Sequence, residues 1–389
     1  MTSAPATGAT VSAAGRTRAA EGFFAAEADR IARLCHRMAE RFARGGRLLA
    51  LGEGPAARSD ARHVAVEFVH PVIVGKRALP ALALTTEAAA GVAALAEAED
   101  VLIAFEPSPA VAIARERGCL TVAFEAGAAE WSFAPPGDAF VRQELIETLY
   151  HVVWELVHVF FDHRGLLEGR EQRRLHDSGA SSFLYPFLAE SETDLEAVVA
   201  DVGASVLAKA RDTAALRERT LAQGAGELRA AAAAMRANLD GGGRVLALGN
   251  GGSATDAMDA VADLRSPPAP LPSRPAIDLT EDAGILTAIA NDVGVEPIFA
   301  RQVIAHGRTG DTLLAFTTSG GSANVLAALA EARRRGLHTV AMVGYDGGRI
   351  LGERLADHVV VSRSEHVPRI QEAHASAWHV LRGLVEDGA

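Results

Sequence analysis

The stretch Gly242–Leu264, GGRVLALGNGGSATDAMDAVADL, contains a short apolar run, a glycine-rich turn and then apolar residues at helical spacing. The run Val245–Leu248 predicts a strand buried on both faces, as in a parallel sheet. The glycines of the turn leave free backbone N–H groups at the start of the helix, which we expect Ser253 to open. A strand, turn and helix of this kind is suited to bind an anion.

The chain contains nearly the same pattern earlier, in Gly45–Phe68, GGRLLALGEGPAARSDARHVAVEF. Four polar residues of each half occupy matching positions. The pairs are His63 with Asp259, Glu67 with Asp263, Gln143 with Gln371, and His151 with His379. The first two pairs are offset by 196 residues and the last two by 228, so the second copy is 32 residues longer in between. We place the additional length around Asn291–Val303, which has no clear counterpart in the first half.

Composition excludes several classes of protein. With 389 residues, 49% hydrophobic and 22% charged, the chain is typical of a globular protein with two or three domains. A formal net charge of −11 disfavours partners such as nucleic acid or an anionic membrane, although a local basic pocket remains compatible with it. Cys35 and Cys119 lack the spacing of a disulfide framework or a thiolate metal site. Neither a signal peptide nor a membrane helix is indicated, so we expect a cytoplasmic protein.

Strands alternate with helices in both halves, which predicts an α/β fold with doubly wound parallel sheets. The predicted strands of the first half are Leu48–Leu51, Ala81–Leu84, Val101–Phe105 and Leu120–Phe124. Those of the second half are Val245–Leu248, Ala276–Leu279, Leu313–Phe316, His338–Val343 and His358–Val361. Long helices are predicted over Val141–Phe161, Asp194–Leu239 and Pro368–Val385.

The predicted domain organisation follows the repeat. It consists of a disordered N-terminus over residues 1–16, a degenerate first domain over 17–164, a polar connector over 165–190 and a second domain over 191–389.

Four ordered motifs in the second half resemble the phosphoheptose isomerase family of SIS (sugar isomerase) proteins. They are LGNGGSATDAMDA, AIANDVGVEPIFARQV, FTTSGGSANVLAAL and PRIQEAHASAWHVL, within residues 195–386. The first half resembles the same family more weakly, through LGEGPAARSDARHVAVEF and RQELIETLYH. The resemblance implies two tandem SIS domains. Since that family functions as a tetramer with active sites between subunits, it also implies a homodimer that rebuilds a pseudo-tetramer.

Hydroxyl side chains follow the predicted strand Leu313–Phe316 and converge where an anion would fit, although a Ser/Thr turn with a helix cap has the same composition. The resemblance assigns the sugar phosphate to Ser253, Thr317, Thr318, Ser319 and Ser322, and other substrate contacts to Asn250, Asp292 and Gln371. The corresponding loop of the first half is Phe105–Ala110, FEPSPA. There Glu106 would repel a phosphate and the prolines lack donors, so we expect this copy to have lost its phosphate site.

His63 and Glu67 lie four residues apart on one predicted helix, so both side chains can face one site. Gln143 and His151 lie eight apart on another helix, on a similar face. On spacing alone, a solvated helix face is the more common explanation. The resemblance implies that these four residues bind zinc, with Glu67 also a base and His151 also an acid. The second-half equivalents, in which shorter aspartates place metal binding and proton transfer in doubt, are Asp259, Asp263, Gln371 and His379.

The implied reaction is aldose–ketose isomerisation of a sugar phosphate, with sedoheptulose 7-phosphate as the favoured substrate. A carboxylate (Glu67 or Asp263) would remove the proton next to the carbonyl, and an imidazole (His151 or His379) would move a proton at oxygen. A cation would stabilise the enediolate. Because the complete tetrad and the complete phosphate loop lie in different copies, we hypothesise a composite site drawn from residues 60–151 and 253–322.

Two other classes of function remain open. A phosphosugar sensor or interaction scaffold of SIS type is favoured by Asp259, Asp263 and the changed loop Phe105–Ala110. An SIS enzyme with another reaction, such as aminosugar phosphate isomerisation or ether cleavage, is the second alternative, although the chain shows no glutamine-hydrolysing domain. His374, three residues after Gln371, is as suited to a supporting hydrogen bond as to metal ligation.

Overall fold

The structure, a computed structural model, describes residues 13–72, 76–162 and 194–387. The first half contains α1 (Ala13–Ala43), β1 (Leu48–Leu51), α2 (Pro55–Val69), β2 (Ala81–Leu84), α3 (Ala88–Leu95), β3 (Val101–Ala104), α4 (Ala110–Glu116), β4 (Leu120–Ala123), β5 (Trp131–Ser132) and α5 (Ala139–Asp162). The second half contains α6 (Leu195–Gln223), α7 (Ala225–Asp240), β6 (Val245–Leu248), α8 (Gly252–Arg265), β7 (Ala276–Asp278), α9 (Ala283–Asp292), α10 (Ile298–His306), β8 (Thr312–Thr317), α11 (Ala323–Arg334), β9 (His338–Gly344), α12 (Gly348–Gly352), β10 (His358–Ser362) and α13 (Val367–Asp387).

Within the described residues, each half forms one five-stranded sheet in which every paired strand is parallel to its neighbour. The strand order is β2-β1-β3-β4-β5 in the first half and β7-β6-β8-β9-β10 in the second. The two orders are the same, so the predicted fold of two doubly wound α/β domains is confirmed. In this order, ligands bind outside the carboxyl ends of the strands, where the first and third strands diverge.

Alternation along β6 explains how helices cover both faces of the second sheet. Val245 and Ala247 pack into a core on one face, while Leu246 and Leu248 pack into a core on the other. All four side chains are completely buried. Burying a leucine side chain of this kind stabilises the fold by about 1.5–3 kcal/mol, which is why the apolar run forms a central strand.

The described residues divide into two compact units, which we call the first-half unit and the second-half unit. The first-half unit comprises residues 18–72, 76–137, 145–162 and 194–212. The second-half unit comprises residues 13–17, 138–144 and 213–387. The helices α1, α5 and α6 therefore each contribute residues to both units. The contiguous domains at 17–164 and 191–389 stay a prediction. The two compact units are not contiguous in sequence, because their boundaries fall within these three helices.

The N-terminal segment begins its helix earlier than the sequence suggested. Residues 13–16 were included in the predicted disordered segment, but α1 already begins at Ala13. The reason is that Arg16 is buried and its Nε lies 3.0 Å from the Glu144 carboxylate. The rest of that segment, residues 1–12, and the predicted connector at 165–190 lie outside the described residues.

The single helix predicted over Asp194–Leu239 is wrong, because it is two helices that meet at Gly224. A Cβ at Gly224 would lie 2.8 Å from the carbonyl oxygen of Thr220 and 3.1 Å from Val360 Cγ1, so only glycine fits this close approach to β10. The predicted additional segment, Asn291–Val303, spans the end of α9 and most of α10. Between β2 and β3 the described chain has one helix, whereas between β7 and β8 it has two.

No helix in the described part of the chain is long and apolar enough to cross a bilayer.

Candidate active site

In the first-half unit, α2 directs polar side chains into the interior. His63 and Glu67 are each 1% exposed, and the distance from His63 Nε2 to Glu67 Oε1 is 3.9 Å. Residues four apart on a helix share a face, so the predicted pair lies side by side.

The helix α5 places a second set of donors against His63. His151 Nε2 lies 3.3 Å from His63 Nε2, and the Tyr150 hydroxyl lies 2.9 Å from His63 Nδ1. His63, His151 and Glu147 are all buried, and each has a possible ligand atom within 4.8 Å of the others. Burial lowers the pKa of His63 well below its usual value, and the neighbouring His151 lowers it further. Neutral imidazoles and carboxylates are ligands that zinc accepts.

Sequence analysis missed Glu147. It lies midway between Gln143 and His151 on α5, four residues from each, so all three share one helix face. The predicted ligand Gln143 belongs to the second-half unit, where its Nε2 donates a hydrogen bond to Asp259 Oδ1 at 2.7 Å. The structure thus brings together three of the four predicted ligands and gives Gln143 another partner. The spacing of Glu147-x3-His151 is the same as that of His63-x3-Glu67, and this spacing could have identified Glu147 as a candidate ligand.

Glu67 is the most unusual member of this group. Both of its carboxylate oxygens are buried and accept no hydrogen bond from the residues that the structure describes. Burial raises its pKa to about 7, which the His151 charge partly opposes and the Glu155 charge reinforces. An unbonded buried carboxylate is costly to the fold. A cation or a substrate would therefore be a suitable partner for the Glu67 carboxylate. Buried carboxylates with a shifted pKa are candidates for functional sites.

The equivalent tetrad of the second-half unit is arranged differently. His379 Nδ1 lies 2.8 Å from Glu144 Oε1, and His379 Nε2 lies 3.5 Å from Asp263 Oδ2. Phe140 stacks on the imidazole, with ring centres 4.3 Å apart. Burial lowers the pKa of His379, but hydrogen bonds to Asp263 and Glu144 and their charges outweigh this effect and raise it to about 9. His379 is therefore an imidazolium held between two carboxylates.

Glu144, which the sequence analysis did not single out, lies at the centre of this cluster. Its carboxylate accepts hydrogen bonds from Arg16 Nε at 3.0 Å and Ser376 Oγ at 2.7 Å, and lies 3.4 Å from Arg217 Nε. Burial acts to raise its pKa, but the charges of Arg16, Arg217 and His379 hold the pKa far below its usual value. We call Arg16, Glu144, Arg217, Asp263 and His379 the ion-pair cluster.

The predicted second-half ligands do not fit a metal ion. Both ring nitrogens of His379 face carboxylates, so a protonated ring offers no lone pair. Asp263 Oδ2 also accepts a hydrogen bond from Trp378 Nε1 at 2.8 Å, and Asp259 is bonded to Gln143. Gln371 is buried nearby on α13. Since aspartate replaces both α8 ligands, a compact ion-pair network forms where the family pattern would place a cation.

The helix α13 carries one more buried histidine. His374 is completely buried beside Phe316, with ring centres 6.3 Å apart. Burial lowers its pKa to about 4. His374 is therefore a neutral side chain in the core behind the end of β8.

The predicted phosphate loop connects β8 to α11. The backbone N–H of Gly320 donates to Thr317 Oγ1 at 3.3 Å, and that of Gly321 donates to Ser319 Oγ at 3.2 Å. Ser319 Oγ and Ser322 Oγ are 3.5 Å apart. Thr318 is half-buried in the same loop. A Cβ at Gly320, whose φ is +60°, would lie 2.4 Å from the carbonyl oxygen of Gly347, so this tight turn requires glycine.

The neighbouring loop after β6 is tied to the same place. Asn250 and Asn324 exchange side-chain hydrogen bonds of 2.9 and 2.8 Å, which join this loop to the start of α11. Ser253 is the second residue of α8 rather than its first, because Gly252 begins the helix, and it is buried. Asp292 is exposed at the end of α9, where its Oδ1 accepts a hydrogen bond from Asn291 Nδ2 at 2.9 Å.

Comparison with known proteins supports the fold and the family. Residues 210–344 match the family model described as SIS domain. A phosphoheptose isomerase of Rhodospirillum rubrum is 44% identical over 161 residues, which cover 40% of this chain and 83% of that protein. One from Desulfovibrio desulfuricans is 44% identical over 182 residues, or 46% of this chain and 86% of that protein.

Among solved structures, the tagatose-6-phosphate ketose/aldose isomerase from Escherichia coli resembles this fold with a TM-score of 0.58 at 15% identity, covering 100% of this chain and 95% of that one. The second half therefore contains an SIS domain, and the first half repeats its strand order. The chain belongs to the phosphoheptose isomerase family.

Proposed function

We propose that this protein is a phosphosugar isomerase that interconverts a ketose phosphate and an aldose phosphate, with sedoheptulose 7-phosphate as the favoured substrate. The observation that carries this proposal is Glu67, a buried carboxylate beside two histidines that accepts no hydrogen bond from the described part of the chain. The relatives named phosphoheptose isomerase support the seven-carbon substrate.

Isomerisation requires a base that removes a proton next to the carbonyl and returns it one carbon along. Glu67 suits this role because burial raises its pKa to about 7, close to neutral pH. His151, in contact with His63, is the residue to which we assign proton transfer at the substrate oxygens. Tyr150 fixes the ring of His63 through Nδ1. A positioned base and acid of this kind contribute about 10²–10⁴-fold each to the rate.

The residues that would hold zinc in the first-half unit are His63, Glu147 and His151, with Glu67 beside them. Bound zinc would polarise the carbonyl and stabilise negative charge on oxygen. The test is metal analysis of the purified protein. We expect about one zinc per chain, lost in His63→Ala and retained in a control, His366→Ala, whose side chain is exposed. Unchanged metal content in His63→Ala would reject this ligand set.

The second-half loop is proposed to bind the phosphate of the substrate. Its hydroxyls and backbone N–H groups follow a buried strand at the carboxyl edge of the sheet, where anions bind in this fold.

The direct experiment is to incubate metal-replete protein with sedoheptulose 7-phosphate and to follow formation of the aldose phosphate by NMR. Turnover of this ketose would support the proposal. Binding without turnover of any ketose phosphate would reject it. Light scattering on a sizing column would test the proposed homodimer.

A second function, a phosphosugar-binding sensor or scaffold, is favoured by one observation. In the second-half unit, the residues expected to bind metal and transfer protons belong to the ion-pair cluster. Such a cluster is suited to stabilise the fold rather than to catalyse a reaction. The sensor predicts that a sugar phosphate raises the melting temperature of the protein while no turnover occurs with any ketose phosphate.

A further inference from the structure

In the first copy, the side chain of Glu106 reaches into the turn between β1 and α2. Its Oε1 accepts hydrogen bonds from the backbone N–H groups of Glu53 at 2.6 Å and Gly54 at 3.0 Å, and its Oε2 accepts another from Gly54 at 3.1 Å. The packing is close, since a Cβ at Gly54 would lie 2.6 Å from Glu106 Oε2. A carboxylate of this chain is thus bound by the amides that begin α2.

A second carboxylate acts in the same region. Glu53 Oε1 accepts a hydrogen bond at 3.3 Å from the backbone N–H of Ala88, the first residue of α3. Two amide-rich turns at this edge of the first sheet therefore face carboxylates of the chain itself. Charge-assisted hydrogen bonds to backbone N–H groups are stronger than neutral ones, so these contacts are not readily displaced by water.

In the second copy, the residues of the corresponding turn, Asn250–Gly252, include no acidic residue. Equivalent positions follow from close contacts: a Cβ at Gly52 would lie 2.0 Å from the carbonyl oxygen of Ala57, and one at Gly249 the same distance from that of Ser253. The first-copy turn is thus one residue longer, and alanine replaces the serine. In the loop after the third strand, Thr317 occupies the position of Glu106 and bonds within its own loop.

We propose that Glu106 is a built-in occupant of the anion-binding turn of the first copy, and that it closes this copy to phosphate monoesters. The carboxylate supplies the negative charge that the amides would otherwise take from a substrate phosphate. Pro107 and Pro109 follow in the same loop, and because proline has no backbone N–H, neither residue can donate a hydrogen bond to a phosphate. The inference rests on the proposed function, because it leaves phosphate binding to the second-half loop.

The test exchanges Glu106 for its second-copy counterpart, Glu106→Thr, with Glu125→Thr as a control that removes one exposed carboxylate after β4. Melting temperatures are measured in inorganic phosphate and in chloride at equal ionic strength. In chloride, we expect the melting temperature of Glu106→Thr to be at least about 2 °C below that of wild type. In phosphate, we expect this difference between the variant and wild type to be smaller. The control should respond to phosphate as wild type does.

Amide NMR locates the effect. In Glu106→Thr, phosphate should shift the N–H signals of Glu53 and Gly54, whereas in wild type those signals should not move. Adding Ser319→Ala to Glu106→Thr should leave these shifts intact, so the result does not depend on whether the second-half loop binds substrate. A folded Glu106→Thr protein without a phosphate-specific response, or wild-type Glu53 and Gly54 signals that shift with phosphate, would overturn the proposal.

Discussion

The two copies of the repeat have the same strand order but differ in the charged groups that they bring together. In the first-half unit, Glu67 is a buried carboxylate near two histidines that accepts no hydrogen bond from the described residues, while Glu106 fills the turn before α2. In the second-half unit, the corresponding turn, Asn250–Gly252, contains no acidic residue, while His379 is fixed between Glu144 and Asp263.

The difference shows how a duplicated domain can divide a function. The carboxylate of Glu106 lies where an anion would bind, and the imidazolium of His379 lies between two carboxylates of the chain. Internal ions of this kind cost less entropy than external ligands, because they are already tethered. One copy thereby keeps the proposed base, Glu67, and the other keeps the proposed phosphate loop.

The largest expected effect tests the ion-pair cluster. Glu144→Gln removes the partner of Arg16 and His379, both buried, and should lower the free energy of unfolding by about 3–5 kcal/mol, as is typical of breaking a buried pair. Urea denaturation measures the change. The matched control is Glu97→Gln, whose side chain is 77% exposed and pairs with Arg47 at 3.3 Å. It should cost less than about 1 kcal/mol, and equal effects of the two variants would mean that the cluster is not a stabilising centre.

The next effect separates the two candidate bases. Glu67→Gln should lower kcat by about 10²-fold or more, the loss expected for a general base. Asp263→Asn should leave appreciable turnover, because Asp263 is bonded to Trp378 and lies beside protonated His379. Steady-state kinetics with sedoheptulose 7-phosphate would measure both variants. Abolished turnover in Asp263→Asn alone would make the second copy the catalytic one.

A smaller effect sharpens the assignment of the phosphate loop. Ser319→Ala removes an exposed hydroxyl, and should raise KM about tenfold with little change in kcat, since one hydrogen bond to a charged group contributes about 1.5–3 kcal/mol. Ser364→Ala, another accessible serine of the second half, should leave KM unchanged. A fall in kcat without a change in KM would place Ser319 in the chemical step instead.

The smallest effect is a pH dependence of stability. His379 faces Glu144 and Asp263, and Glu144 in turn contacts Arg16 and Arg217. Because folding raises the pKa of His379 from 6.5 to about 9, its contribution is fully present below pH 6.5 and is lost as pH rises through about 9. Stability should fall by about 1 kcal/mol between about pH 7 and 8. Urea denaturation at both values checks this, and His379→Gln should remove most of the slope, leaving the smaller part due to Glu67, whose pKa is raised to about 7. An equal slope in that variant would assign it to other groups.

Much of the fold followed from local pattern. Runs such as Val245–Leu248 and Leu48–Leu51 predicted strands at the observed bounds, because a strand buried on both faces must be continuously apolar. The pairing of His63 with Glu67 was equally predictable, since four residues on a helix return a side chain to the same face.

The sequence by itself determined the repeat, because the two copies can be compared directly. It also determined the α/β architecture and the pair on α2, because the strands, the helices and this pair follow from patterns among residues close together in the chain. Only the tertiary structure decided which charged groups meet. The contact between His379 and Glu144 joins residues 235 apart, and Glu106 reaches the turn at Gly54 from 52 residues away. Spacing along the chain carries no information about such pairs, whose energies depend on burial and on distances between atoms that the fold alone brings together.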